Sequence, residues 1–339
     1  GVRVGQCVKP GIDAGQEDVL GLVAGDAESY EVFREVFDPV IAQLHPRMNG
    51  GHEVDVDYRQ VNGAAIDPTG SFVVTTKFVT RRSVRGFRFP SVCTFEERRE
   101  VERVVVKSLL SLEGELKGDY FPLIGSRSYQ PKPNGMTQEK QDELRMIGAI
   151  FREPDTPLGL SSGFGRHWPD GRGIFHNDAR NLFVTLNHED HVKMTSMEVG
   201  ENIVAIYRRL ALASAGLAKA LVAEGYAVEH SERLGYIVSC PSNLGTGLFG
   251  AMVIKLPNLS AATDVPTLCR KLGLESTLLG SPIAAVDGRF EVRNAERVST
   301  TEVTIVNGIV GGVLRLLAWE DRLAEGQDVK AEVEAALAA

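Results

Sequence analysis

An α+β protein built on an antiparallel sheet is what the sequence predicts, and three observations lead there. Strand-like β-branched runs alternate with long amphipathic runs, a pattern that by itself allows either α/β or α+β. Within Gly173–Met197, successive strand-like stretches are interrupted only by the short turn His176–Arg180. Tight turns of that kind favour antiparallel neighbours, because parallel strands need a long crossover. The chain has 339 residues, enough to bury a large core in one big domain or two smaller ones, and no repeat or low-complexity segment divides it.

The elements follow in order. The first ~45 residues mix glycine with short helical patterns such as Glu28–Leu44, until the cluster Asn49–His52 breaks the pattern. A polar stretch, Asp55–Asp67, leads to a β-branched strand over Ser71–Thr80. Thr94 and Glu97 form a capping box that opens a helix to about Leu112, with Val101, Val104, Val105, Leu109 and Leu112 on its core face. The alternating Glu and Arg of that helix read as a solvated face with i,i+4 pairs. Gly125–Gly135 is a loop, and Thr137–Ile150 and Glu201–Glu224 are helices. Leu234–Cys240 and Gly250–Leu256 are strand-like, as is Arg289–Asn294, while Val265–Leu272 and Thr301–Leu323 are helical. Val329–Ala339 reads as a frayed terminal helix.

Hydrophobic residues make up 43% and charged residues 24%, ordinary for a soluble globular protein. The net charge of −8 argues against a general nucleic-acid or anionic-membrane binder. No apolar run approaches the ~20 residues that span a bilayer, and no signal-peptide pattern opens the chain. Cys7, Cys93, Cys240 and Cys269 are scattered without CxxC spacing. Metal and disulfide frameworks therefore read poorly, and a reducing, cytoplasmic setting is expected. Residue 1 is glycine, so the sequence is expected to begin within a longer polypeptide or to reflect processing or expression.

Two stretches could carry chemistry. Gly173–Met197 holds His176, His188 and His191 with Asp178, Glu189 and Asp190. If His188 and His191 share a strand, their spacing sends them to opposite faces, so no metal site is expected. Cys240–Gly247, CPSNLGTG, places a thiol in a glycine-rich turn, where nearby backbone donors could lower its pKa. The simpler reading is that the glycines shape the turn.

Both stretches strongly resemble the phosphagen (guanidino) kinases, the creatine and arginine kinases. So do Val23–Ile41, Arg82–Phe87, Glu96–Leu116, Trp168–Asp178 and Ile254–Leu259. The resemblance implies a guanidino-kinase fold: residues 46–339 as the catalytic-type domain, an antiparallel sheet flanked by helices, and residues 1–45 as the remnant of a small helical N-terminal domain. It also implies that Glu189 binds a guanidinium, with Cys240, held by Ser242, and Asn243 beside it. A guanidinium stays protonated in water, so its reaction with phosphorus depends on alignment and charge compensation.

The departures fall on the nucleotide clamp, which in this family consists of five arginines. Lys77 and Val79 stand at two of these positions, Lys193 at the third and Phe249 at the fourth, and Leu274–Pro282 offers none for the fifth. Family histidines that contact adenine appear as Gly148 and Val253, and a family tryptophan as Thr185. Lysine keeps the charge but loses the bidentate fork. Charge-assisted hydrogen bonds contribute roughly 1.5–3 kcal/mol each, so three losses remove about 4.5–9 kcal/mol of phosphate binding. Arg81, a glycine in the family, is expected to compensate only in part. Arg297 also matches a nucleotide-site position, and Arg166, Arg172 and Arg297 could pair carboxylates. Some of Arg81, Arg82, Arg85 and Arg88 would face the emptied cleft and grip an acidic partner segment.

Two functions from different classes result. The first is a family member without phosphotransfer, acting as a structural or interaction module with protein partners or copies of itself, needing no cofactor. Tandem flagellar forms in the family make a ciliary or flagellar axoneme an expected home. The second is an active Mg-ATP-dependent guanidino kinase with a rearranged nucleotide site. A small-molecule sensor using the old cleft is a third, minor reading. The stretch Arg47–Gly51 does not settle which guanidino compound would be used.

Overall fold

The computed structural model describes residues 1–15, 20–46, 48, 54–280 and 288–338. Eight strands form one sheet: β1 (Val73–Arg82), β2 (Gly118–Pro122), β3 (Gly173–Asn177), β4 (Leu182–Leu186), β5 (Val192–Val199), β8 (Leu248–Lys255), β9 (Leu274–Leu278) and β10 (Arg289–Asn294). Their order is β2-β3-β4-β5-β1-β8-β10-β9, and every pairing is antiparallel. A separate ribbon joins β6 (His230–Ser231) to β7 (Gly235–Tyr236). The expected antiparallel sheet is present.

Period-2 alternation along central β1 sorts its side chains. Phe78 is fully buried and meets Tyr207 edge-on, ring centroids 5.7 Å apart, whereas Lys77, Val79 and Arg81 take the opposite face. Helices Phe95–Leu110, Ile203–Ala223 and Glu302–Ala324 cover the Phe78 face. Helix Glu302–Ala324 is long and apolar enough to cross a membrane by composition, contrary to the reading that no run approaches that length. Most of it is buried in this core.

A second core joins the N-terminal helices Ser29–Val32 and Arg34–Leu44 to the loops around Cys240. Tyr30, Phe37 and Ile41 pack with Phe89, Leu234, Ile237 and Leu244. The Tyr30 hydroxyl donates to the Val238 carbonyl at 2.8 Å, and the Ala24 amide donates to Ser239 at 2.7 Å.

Several expectations need correction. Leu234–Cys240 is strand only at Gly235–Tyr236, because its apolar side chains serve the second core rather than a sheet face. The helical pattern Glu28–Leu44 is realised as two helices that meet at Phe33. Leu274–Leu278, within the stretch matched to a mobile loop, is an edge strand paired with β10. The terminal helix Lys330–Ala338 is docked rather than frayed: Val333 and Ala336 are buried, and Arg322 pairs with Glu332 at 2.7 Å. Helix Phe95–Leu110 does not carry all its charges outward. Arg98 is 1% exposed and donates to the Pro90 carbonyl, and buried Glu102 accepts from Tyr120 Oη at 2.6 Å. The capping box at Thr94 and Glu97 is present. Asn49–His52 and, apart from Met48, Arg47–Gly51 lie outside the described residues.

Phe78→Ala is expected to lower unfolding stability by about 3–5 kcal/mol through cavity formation. A urea midpoint unchanged from the parent would contradict the central place given to this side chain.

Candidate functional site

On the sheet face opposite Phe78, the register aligns three strands into a floor. Arg81, Val79 and Lys77 of β1 stand opposite Lys193, Thr195 and Met197 of β5. On its other side, Val79 stands opposite Phe249 of β8. A cleft of about 810 Å³ opens over this floor and is lined also by Glu189, Cys240, Asn243 and Arg297. The residues singled out for catalysis and for the phosphate site thus share one cavity, with Gly148 beside them, whereas Val253 and Thr185 do not line it.

The string Asn187–His191 is a bend rather than a strand, and it sends its side chains in separate directions. Asn187 Nδ2 donates to the carbonyls of Arg98 and Gly171. His191 Nδ1 accepts the Val84 amide at 3.0 Å, which leaves Nε2–H to donate to the Arg88 carbonyl at 3.0 Å. Burial pushes His191 down to about 4, and it does the same to His188, which packs against Phe151. His176 stacks on Phe121. Among the described residues no three His, Cys, Asp or Glu side chains converge on a metal position.

Asp190 is buried, and its Oδ1 accepts from the Ser239 amide at 2.9 Å and the Ser239 hydroxyl at 2.8 Å. The other oxygen lies 3.2 Å from Arg81 Nε, close enough for a charge pair although not aligned as a hydrogen bond. Arg81 Nη2 is 3.6 Å from Glu189 Oε2, and Nη1 donates to Asn243 Oδ1 at 3.3 Å. The protein's own guanidinium therefore engages Glu189 and Asn243. With Asp190 1% and Arg81 15% exposed, that leg is little screened, whereas Glu189, 45% exposed, forms the weaker one.

The other cations are largely committed. Lys77 Nζ donates to Glu291 at 2.6 Å, and Arg293 pairs with Glu275 at 2.8 Å. Arg297 donates to the Ser242 carbonyl at 3.0 Å and lies 5.7 Å from the Phe249 ring centroid. Lys193 has no ion pair or hydrogen bond among the described residues, and burial, then neighbouring Arg81, lowers its pKa.

Other arginines depart from expectation. Only Arg81 of its cluster lines the cleft. Arg82 lies on the helix-covered face over Tyr236, Arg85 pairs with Glu229, and Arg88 pairs with Glu97. Arg166, Arg172 and Arg297 donate to backbone carbonyls rather than to carboxylates. Sequence reasoning missed Glu291 as the partner of Lys77. Its place between Arg289 and Arg293 on an alternating strand was the available signal.

Cys240 Sγ is 3.0 Å from Ser242 Oγ. Burial raises the thiol's pKa and outweighs that contact, so the lowering that the turn's donors could have given is not found. Cys7, Cys93 and Cys269 are buried free thiols. The glycine-rich turn serves close packing. Gly245 has φ +81°, and a Cβ there would come 2.1 Å from the Arg297 carbonyl oxygen.

Family models match most of the chain. The ATP:guanido phosphotransferase C-terminal catalytic domain covers residues 100–323, and the corresponding N-terminal domain covers residues 1–42. Human M-type creatine kinase is 36% identical over 336 residues, covering 97% of this chain and 85% of that protein. The flagellar creatine kinase of Strongylocentrotus purpuratus is 36% identical over 341 residues, and this chain spans 28% of its length. The crystal structure of a lombricine kinase superposes with a TM-score of 0.90 at 34% identity, covering 98% of this chain and 89% of that one. The duplicated taurocyamine kinase of Schistosoma mansoni gives 0.85 at 32% identity, covering 96% of this chain and 44% of that one.

Replacing Arg81 by alanine strands the buried Asp190 carboxylate, and the expected loss at neutral pH is about 3–5 kcal/mol. Burial raises Asp190 above its ordinary 3.8, and loss of Arg81 raises it further. Each folded protein then holds a proton that the unfolded chain releases, the variant up to a higher pH, so its deficit against the parent grows as pH rises from the parent's raised value towards the variant's and shrinks on acidification. His191 acts oppositely below its ordinary 6.5 but in both proteins, so the readout is variant minus parent. A difference that fails to shrink between neutral and acidic pH would falsify this role for Asp190.

Proposed function

The chain belongs to the ATP:guanido phosphotransferase family, and from that premise we propose that it has lost phosphotransfer and serves as a structural or interaction module in a larger assembly. The observation that carries this reading is the engagement of Glu189 and Asn243 by Arg81. A guanidinium belonging to the fold stands beside the carboxylate assigned, by family likeness, to the guanidinium of a substrate. Two further features support it. Val79 and Phe249 give the cleft an apolar floor where a polyphosphate needs cations, and Lys77 is neutralised by Glu291. Mg-ATP and Mg-ADP therefore do not fit the residues present, and no catalytic step is derived through them.

On this reading the partners are proteins, copies of the chain among them, and the setting is cytoplasmic. The likeness to a flagellar creatine kinase supports an axonemal assembly. A second reading, an active guanidino kinase with a rebuilt nucleotide site, draws on the gathering of Glu189, Cys240 and Asn243 around one cleft. In that case turnover needs Mg²⁺ with ATP, and Glu189→Gln abolishes it.

Calorimetric titration with Mg·ADP and Mg·ATP at moderate salt separates the two. The expected result is no detectable heat of binding at millimolar nucleotide. Micromolar affinity would overturn the proposal and direct attention to Glu189→Gln turnover.

A further inference from the structure

We propose that the cleft is a receptor for a small amphipathic carboxylate, its charge received by Lys193 and its apolar or aromatic body laid along Val79, Met197 and Phe249. This rests on the reading that phosphotransfer has been lost, and it names what the altered cleft takes instead.

The first argument is an imbalance of polar groups. Lys77, Arg81 and Arg293 each have a carboxylate partner, but Lys193 has none among the described residues. Its cross-strand neighbour on β4, Thr185, holds a buried hydroxyl that makes no hydrogen bond. Across the cleft, Arg297 keeps a buried Nε–H without a partner. Glu189 and Asp190 act on the Lys193 ammonium without pairing with it, and removing an ammonium from water without a contacting counter-charge is costly, so an incoming carboxylate offsets that cost.

The second argument is the charge the cleft can accept. Of the cations lining the cleft, Lys77 and Arg81 are already paired and Glu189 stands on the wall, so a polyanion is poorly matched, whereas a single carboxylate suits Lys193 with Arg297 across from it. The third is shape. From β5, which carries Lys193, the floor crosses β1 to β8, which carries Phe249, a span of about 10 Å at ordinary strand spacing. Val79 and Phe249 make this path apolar, and the Phe249 ring offers a face for an aromatic or alkyl body.

The test uses 4-phenylbutyrate and octanoate as probes, with their uncharged amides as controls, titrated calorimetrically into the intact protein. Each acid is expected to bind roughly tenfold to a hundredfold tighter than its amide, the share of one charge-assisted hydrogen bond. Lys193→Met, which keeps the apolar stem, should erase that preference, and Lys193→Arg should retain most of it. Equal affinity for acid and amide, no binding of the acids at millimolar concentration, or an unchanged preference in Lys193→Met overturns the proposal. The acid–amide comparison needs no variant, so it stands even if a substitution impairs folding. Addition of Mg·ATP separates this idea from the one beneath it. Displacement of the acid by micromolar nucleotide would refute the loss of phosphotransfer, and with it the carboxylate as the intended occupant. Acid binding that millimolar nucleotide leaves undisturbed supports both.

Discussion

The cleft is organised around one buried carboxylate. Asp190 accepts twice from Ser239 on one side and faces Arg81 on the other, so it ties the bend after β4, the segment entering the Cys240 turn and central strand β1 into one unit. A buried charge is tolerated only when paired and hydrogen-bonded, so the three segments hold their positions together. Asn187 and His191, flanking in the same bend, fasten it to the helix Phe95–Leu110 and to the segment after β1. What resembles a catalytic string is in large part a structural fastening, with Glu189 its member half open to the cleft.

On the proposed reading, in which phosphotransfer is lost, that arrangement explains how the family's motifs can persist. The glycine-rich turn is kept because Gly245 lies against the Arg297 carbonyl and leaves no space for a side chain. Cys240 sits where burial opposes its ionisation. Residues whose task was electrostatic are less constrained by packing. At Val79 and Phe249 the fold accommodates apolar side chains, and the two cations that β1 turns towards the cleft, Lys77 and Arg81, have each found an acid within the chain. Lys193 stands outside this pattern of internal neutralisation, which makes it the point of contact between the altered cleft and any new ligand.

The N-terminal segment contributes to the site as well. Tyr30 and Ala24 hydrogen-bond to the residues just before Cys240, and Leu20 and Val23 line the cavity. Residues far apart in sequence share the second core, so the turn's position depends on both ends of the chain.

Much was legible in the sequence. Period-2 and 3.6-residue patterns, the Thr94–Glu97 box and the motif strings gave the antiparallel sheet, its covering helices and the family, because these depend on local spacing. The expectation that Val79 and Phe249 stand where the family carries arginines was equally legible there. Helix Phe95–Leu110 resisted: Arg98 and Glu102 fall at helical spacing from Val101, Val105 and Leu109 on the core face, but the partners that satisfy them there, Pro90 and Tyr120, come from other segments. Only the tertiary structure decided what the surviving charges do. Lys77 meets Glu291 across 214 positions and Arg81 meets Asn243 across 162, and no local pattern encodes such pairs. The sequence by itself determined which charged residues are available to the cleft. The fold decided which of them were already taken, because Coulomb partners are set by distance in space rather than along the chain.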